Sequence, residues 1–70
     1  MRTMDFLFEV VGEDSPICGE TFFVEVDADY EDDPLAIAWE IATEIFPDEK
    51  LECFGAFPPS LAEALGYDTY

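Results

Sequence analysis

The feature that most constrains the fold is an apolar stripe at helical spacing in the middle of the chain. Its members recur every three or four residues: Leu35, Ala38, Ile41, Ala42 and Ile45. Asp32 or Asp33 can cap a helix that begins here, Pro34 suits its first turn, and Pro47 stops it. The stripe therefore predicts a long helix that includes Leu35 to Ile45 and packs one face against the rest of the protein.

Three other segments are typical of β-strands. Apolar and polar side chains alternate over 6–11 and 21–27, and the short connection between these segments favours antiparallel pairing. Segment 51–57 predicts a third strand, in which Gly55 suggests a β-bulge or a close backbone approach. The alternation predicts an antiparallel sheet of three strands that lies beneath the long helix.

The C-terminal residues predict a second, short helix. Ser60 and Glu63 have the spacing of a capping box, and Gly66 is a natural helix end. The tail after Gly66 is short enough that we expect it to fray. Residues 1–70 are thus predicted to form a single acidic α+β domain: a small three-stranded antiparallel sheet, one long helix packed on a face, and a short C-terminal helix.

The two faces of the predicted sheet carry different residues. One face and the long helix can bury a common core of Phe6, Phe8, Phe22, Val24, Leu35, Ala38, Ile41 and Ile45. Leu7, Phe23 and Phe54 project from the opposite face. Two expectations remain open for them: the short helix or the tail covers them, or they form a patch for a partner or a second copy.

The charge of the chain is strongly one-sided. Eighteen acidic residues against two bases give a formal net charge of −16, although half of the residues are hydrophobic. A small domain needs a net charge of only about 2 to 8 for solubility. The excess repels nucleic acid and anionic membranes and attracts basic surfaces, so we expect a functional negative surface.

The acids are densest between the second strand and the long helix. Asp27, Asp29, Glu31, Asp32 and Asp33 fall within seven residues. Alternate residues of an extended strand lie about 6.6 Å apart, comparable to the spacing of phosphates along a nucleic-acid strand. Glu25 extends this row along the second strand. Flanking acids on the first strand and on the long helix extend it further: Asp5, Glu9, Glu40 and Glu44.

The residue types argue against catalysis and against a specific metal site. Without histidine, a Ser-His or Cys-His nucleophile pair is impossible, and we expect neither an enzyme nor a cofactor. Asp27, Asp29 and Glu31 match the first, third and fifth positions of a calcium loop. The pattern then fails, because Asp32 stands where the turn glycine belongs and Ala38 where the bidentate glutamate belongs.

The remaining sequence signals concern the compartment. Cys18 and Cys53 are far apart and lack CxxC spacing, which favours reduced thiols. The first residues do not resemble a signal peptide, and no apolar stretch is long enough to cross a bilayer. We expect a cytoplasmic protein with no membrane partner, either a monomer or a weak homodimer.

Small size, extreme acidity, a compact α/β core and no catalytic equipment together resemble the class of phage-encoded DNA mimics, which includes anti-CRISPR and anti-restriction proteins. The resemblance implies a DNA-mimicking inhibitor, and in particular an anti-CRISPR protein acting in the host cytoplasm. Such a protein would bind the basic nucleic-acid channel of a CRISPR-Cas effector complex, block target DNA binding, and bind no nucleic acid itself. The residues that would carry this activity are Glu25, Asp27, Asp29, Glu31, Asp32 and Asp33, with Asp5, Glu9, Glu40 and Glu44 as flank.

An adaptor role is the alternative interpretation. In that case the charge only keeps a small structural protein of a phage or mobile element in solution, and the apolar sheet face binds the partner.

Overall fold

The structure, a computed structural model, describes residues 3–27, 29 and 32–70. Its elements in chain order are β1 (Thr3–Val10), β2 (Thr21–Asp27), α1 (Pro34–Ile45), β3 (Leu51–Phe57), α2 (Pro59–Leu65) and β4 (Asp68–Thr69). The sheet has the strand order β3-β1-β2-β4. The α+β class is confirmed. The prediction of a purely antiparallel, three-stranded sheet is wrong, because β4 adds a fourth strand that runs parallel to β2.

The first three strands pair as the alternation predicted. β1 lies between β2 and β3 and is antiparallel to both. The register places Phe6 opposite Val24 and Phe8 opposite Phe22, so these apolar side chains share the face that α1 covers. The buried core on this face consists of Phe6, Phe8, Val10, Phe22, Val24, Val26, Ala38 and Ala42.

Helix α1 begins and ends where its capping signals lie. The Asp33 carboxylate accepts a hydrogen bond from the Ala36 N–H at 3.2 Å, and Pro34 occupies the first turn. At the other end, the Phe46 N–H donates to the Ala42 carbonyl. The predicted helix is confirmed, and Asp33 rather than Asp32 caps it.

The predicted core is wrong at one position of this helix. The small residues Ala38 and Ala42 are fully buried and bring α1 close to the sheet, whereas Ile41 and Ile45 are half-buried. Leu35 shares their face of the helix but is 44% exposed. It belongs to the first turn of α1, ahead of the two buried residues Ala38 and Ala42.

The opposite face of the sheet is covered by the C-terminal part of the chain. Phe23 is fully buried there, and its ring lies 5.9 Å from that of Tyr67 and 6.3 Å from that of Phe57. Leu7 is half-buried, and Phe54 remains 49% exposed. Of the two expectations for this face, self-coverage is therefore confirmed for Phe23.

Strand β3 contains the predicted irregularity. The pairing with β1 shifts between Leu7 and Phe8, which leaves Phe54 as the extra residue of a β-bulge. Gly55 beside it has φ of 115°, a backbone conformation that residues with a Cβ rarely adopt. The glycine in this strand is thus explained by the bend of the chain at the bulge.

Helix α2 begins differently from the prediction. Its first residue is Pro59 and its cap is Pro58, which offers no side-chain hydrogen bond. The prediction of a capping box is wrong, because proline at the first helical position places Ser60 inside the first turn, beyond the capping position. Gly66 ends the helix in the left-handed conformation, with φ of 72°, as predicted.

The tail forms a strand where fraying was expected. The Tyr70 N–H donates to the Phe23 carbonyl, and the Glu25 N–H donates to the Tyr70 carbonyl, both at 2.8 Å. The Tyr70 ring packs edge-on against Phe22 at a centroid distance of 5.6 Å. These backbone and ring contacts, which are remote in sequence, hold the tail against β2.

Candidate functional site

The acids between β2 and α1 are tied to the local backbone. The Asp29 N–H donates to the Asp27 carboxylate at 3.1 Å, and Asp33 caps α1. The acidic turn, as we call Asp27, Asp29, Asp32 and Asp33, therefore begins and ends on a carboxylate that fixes the backbone. Asp29, Asp32 and Asp33 are exposed and Asp27 is half-buried, whereas Glu31 lies outside the described residues.

No described base lies near this turn. Lys50, the one base in the part of the chain that the structure describes, precedes β3. The register places Leu51 beside Val10, at one end of β1, whereas Asp27 pairs with Thr3 at the other end. Lys50 shares a shallow cleft with Glu13 and Asp14 instead.

Glu25 and Asp5 lie side by side but differ sharply in exposure. They are direct partners in the β1–β2 ladder and point to the face of the sheet that α2 covers. Glu25 is exposed, whereas Asp5 is 1% exposed, and its Oδ1 atom has no hydrogen-bond partner among the described residues. Burial, and to a lesser extent the charge of Glu25, raises the pKa of Asp5. Asp5 is therefore not part of the exposed acidic surface in which the sequence analysis placed it.

Glu63 joins these two acids in a cleft between the sheet and α2. This cleft, which we call the α2 cleft, has a volume of about 490 Å³. Its walls include the apolar side chains of Pro59 and Ala62 and the ring of Tyr67. The sequence analysis missed Glu63 because it assigned that side chain to a capping box. Its position opposite Asp5 depends on how α2 packs, for which the local sequence holds no signal.

The other predicted flanking acids lie on separate surfaces. Glu9 is half-buried and pairs directly with Glu52 on β3, an arrangement of like charges that disfavours the sheet. Glu40 and Glu44 are exposed on α1, where they and Trp39 line a shallow groove of about 660 Å³. Because α1 covers the face of the sheet opposite to Glu25, these two glutamates do not extend the row of Glu25 and Asp27.

Among residues 3–27, 29 and 32–70, no group of three or more Cys, Asp or Glu side chains has the geometry to hold a metal ion. Cys18 is an exposed free thiol, and Cys53 is a free thiol half-buried against the core. In the same described ranges, neither helix has the length and hydropathy needed to cross a bilayer.

Comparison with known proteins supplies no relative. No protein-family model, no curated protein and no solved structure is significantly similar to this chain.

Proposed function

We propose that this protein is a DNA-mimicking inhibitor that occupies the basic nucleic-acid-binding surface of another protein. The observation that carries the proposal is the acidic turn together with Glu25. Exposed carboxylates are gathered at one end of the sheet, and the one described base lies at the other end. The resemblance to phage-encoded DNA mimics favours a CRISPR-Cas effector complex as the target.

The local structure of the turn supports this role. The hydrogen bonds that Asp27 and Asp33 accept restrict the backbone at Asp29 and at the start of α1 before any partner arrives. A preformed array loses less conformational entropy on binding than a flexible acidic segment does. A phosphate backbone presents charge in a similar way, on a scaffold that keeps its order when a protein binds. The resemblance to a phosphate backbone is limited at Asp27, because the regular spacing of strand residues ends there.

The adaptor role depends on a different surface. Phe54 is 49% exposed beside the bulge of β3, and it is the one residue of the predicted apolar patch that lies open. Phe23 is covered by Phe57 and Tyr67. A partner that bound through this face would therefore contact Phe54 and the exposed side of Tyr67, and would not reach Phe23. The exposed carboxylates of Glu25, Asp29, Asp32 and Asp33 favour the inhibitor instead.

The test is competition for DNA. Purified CRISPR-Cas effector complexes of several types, and restriction enzymes as a second group, would be mixed with labelled target DNA at increasing concentrations of this protein. We expect the apparent Kd for DNA to rise in proportion to inhibitor concentration for at least one effector. Complexes already loaded with DNA should resist inhibition. If DNA binding is unchanged throughout both groups, the proposal fails.

Ionic strength separates the two roles. The Debye length falls from about 10 Å at 0.1 M salt to about 3 Å at 1 M. A complex held by the acidic turn should therefore weaken steeply over this range. A partner that binds through Phe54 would hardly respond to salt, and that result would favour the adaptor role.

A further inference from the structure

The α2 cleft brings three carboxylates of different exposure together. Glu25 and Glu63 are exposed at its rim, and Asp5 lies beneath them at 1% exposure. The Oδ1 atom of Asp5 is buried and accepts no hydrogen bond from the described residues. Most buried polar side-chain atoms in proteins have a partner. A donor that came within reach of this atom would find an acceptor that these residues leave unused.

The charge and the walls of the cleft define the chemistry of such a donor. Three carboxylates select a cation. The ring of Tyr67 and the apolar surfaces of Pro59 and Ala62 suit an aliphatic stem and a flat cationic head better than a hydrated metal ion. A volume of about 490 Å³ is also large for a single ion. A guanidinium combines a planar cation, weak hydration and five donors.

We propose that the α2 cleft receives an arginine side chain of the protein's basic partner, with Glu25 and Glu63 at the rim and Asp5 at the floor as its acceptors. The inference rests on the proposed function for the identity of the partner. It adds a specific anchoring point to a surface that would otherwise attract a basic protein through charge alone.

The exposure of the three acids sets the order of contact. A guanidinium meets Glu25 and Glu63 first. Because Asp5 is only 1% exposed, the guanidinium reaches it only after the groups that cover its carboxylate move aside. Burial and the charge of Glu25 raise the pKa of Asp5. An arriving cation stabilises the charged form of Asp5 and therefore lowers this pKa.

The experiment uses a small probe and no macromolecular partner. The amide tripeptide Gly-Arg-Gly is titrated into isotopically labelled protein, and amide and carboxyl chemical shifts are followed by NMR. Gly-citrulline-Gly, which is neutral and of similar shape, is the matched control. We expect saturable shifts at Glu25, Glu63 and Gly66 with the arginine peptide only, and a lower pKa of Asp5 in the bound state.

Two variants test the acceptors one at a time. Asp5→Asn and Glu63→Gln should each weaken binding of the arginine peptide about tenfold, the loss expected for one charge-assisted hydrogen bond. Asp14→Asn, an exposed acid outside the cleft, should leave the affinity unchanged. The amide spectrum of each variant checks that the fold is kept. If Asp5→Asn fails to fold, the Glu63→Gln result on the α2 surface decides alone.

Three results would overturn the inference. They are shifts spread over the acidic turn with no saturation at the cleft, equal binding of the citrulline peptide, and the same cleft shifts on addition of Mg²⁺ alone. The outcome is separable from that of the DNA competition. A peptide that binds without any effector being inhibited contradicts the proposed function only. Inhibition that Asp5→Asn and Glu63→Gln leave intact, without peptide binding, contradicts the cleft only.

Discussion

Asp5 and Glu25 are direct cross-strand partners, yet one is sealed beneath α2 and the other is open to solvent. Like charges at such a position disfavour the sheet, and burial adds the cost of removing a carboxylate from water. The isolated fold therefore contains an unfavourable contact in the middle of its sheet. Its cost depends on the protonation of one side chain, which makes it measurable.

Asp5→Asn should stabilise the protein at pH 7 by about 1 kcal/mol, because the neutral amide is cheaper to bury than a carboxylate without a partner. The folded-state pKa of Asp5 is raised above its ordinary value of 3.8, so this residue costs stability as the pH rises through the folded pKa. The advantage of the variant should shrink as the pH falls towards 3.8.

Urea denaturation of both proteins across this pH range measures the difference. Glu25, Glu63 and Tyr67, the other titratable groups that line the α2 cleft, are common to both proteins, so the difference isolates Asp5. A constant or growing advantage at low pH would show that charge at Asp5 is not the cause.

Asp33→Ala should destabilise the protein by about 1 kcal/mol, because it removes the acceptor that caps α1. Asp33→Asn keeps an acceptor and should cost much less. Asp32→Ala is the matched control: the residue is exposed, it directly precedes Asp33, and the cap bond belongs to its neighbour. Chemical denaturation checks all three variants. Equal losses at 32 and 33 would mean that the cap contributes nothing specific.

Tyr67→Ala should destabilise the protein by about 2 kcal/mol, since it removes a ring that stacks on Phe23 and exposes part of that buried face. Phe54→Ala should change stability by less than about 0.5 kcal/mol, because that ring is 49% exposed. Thermal unfolding distinguishes the two. A larger loss for Phe54 would contradict the coverage of the sheet face by the C-terminal segment.

The double reversal Asp29→Lys and Asp32→Lys should abolish inhibition of DNA binding by the target. Each lysine would face a basic residue of the partner, and like charges cost several kcal/mol in a desolvated interface. Both positions are exposed and lie outside the helices and strands, so the fold should persist.

Glu13→Lys with Asp14→Lys is the matched control for this reversal. It makes the same change in net charge at two exposed positions of the loop after β1. Equal losses of inhibition for both pairs would indicate that only total charge matters, and no loss in either would remove the acidic turn from the binding surface.

Local signals predicted the parts of the fold that local interactions determine. The bounds of α1 follow from Asp33, Pro34 and Pro47, which act on neighbouring residues alone. The faces of β1 and β2 follow from alternation, which the observed register confirms. Gly55 was similarly predictive, because its backbone conformation is unusual for other residues.

Long-range packing accounts for what the sequence did not reveal. β4 has two residues, too few for any periodic pattern, and its pairing depends on contacts with Phe23 and Glu25 far along the chain. Alternation agrees with the observed pairing of Asp5 and Glu25 on one face but holds no information about whether that face is covered. The α2 cleft was missed for the same reason, since Glu63 approaches Asp5 only through the packing of α2.

The addition of β4 decides which strand of this protein is open to pairing with other molecules. With the order β3-β1-β2-β4, the outer side of β2 is occupied where the tail pairs with Phe22 and Phe23, and β3 becomes the long outer strand. An outer strand is a template for aggregation unless its shape or charge prevents pairing. The bulge at Phe54 interrupts its regular hydrogen bonding, and Glu52 adds a charge. The same residues that bend β3 thus hinder pairing between the sheets of neighbouring molecules in a concentrated solution.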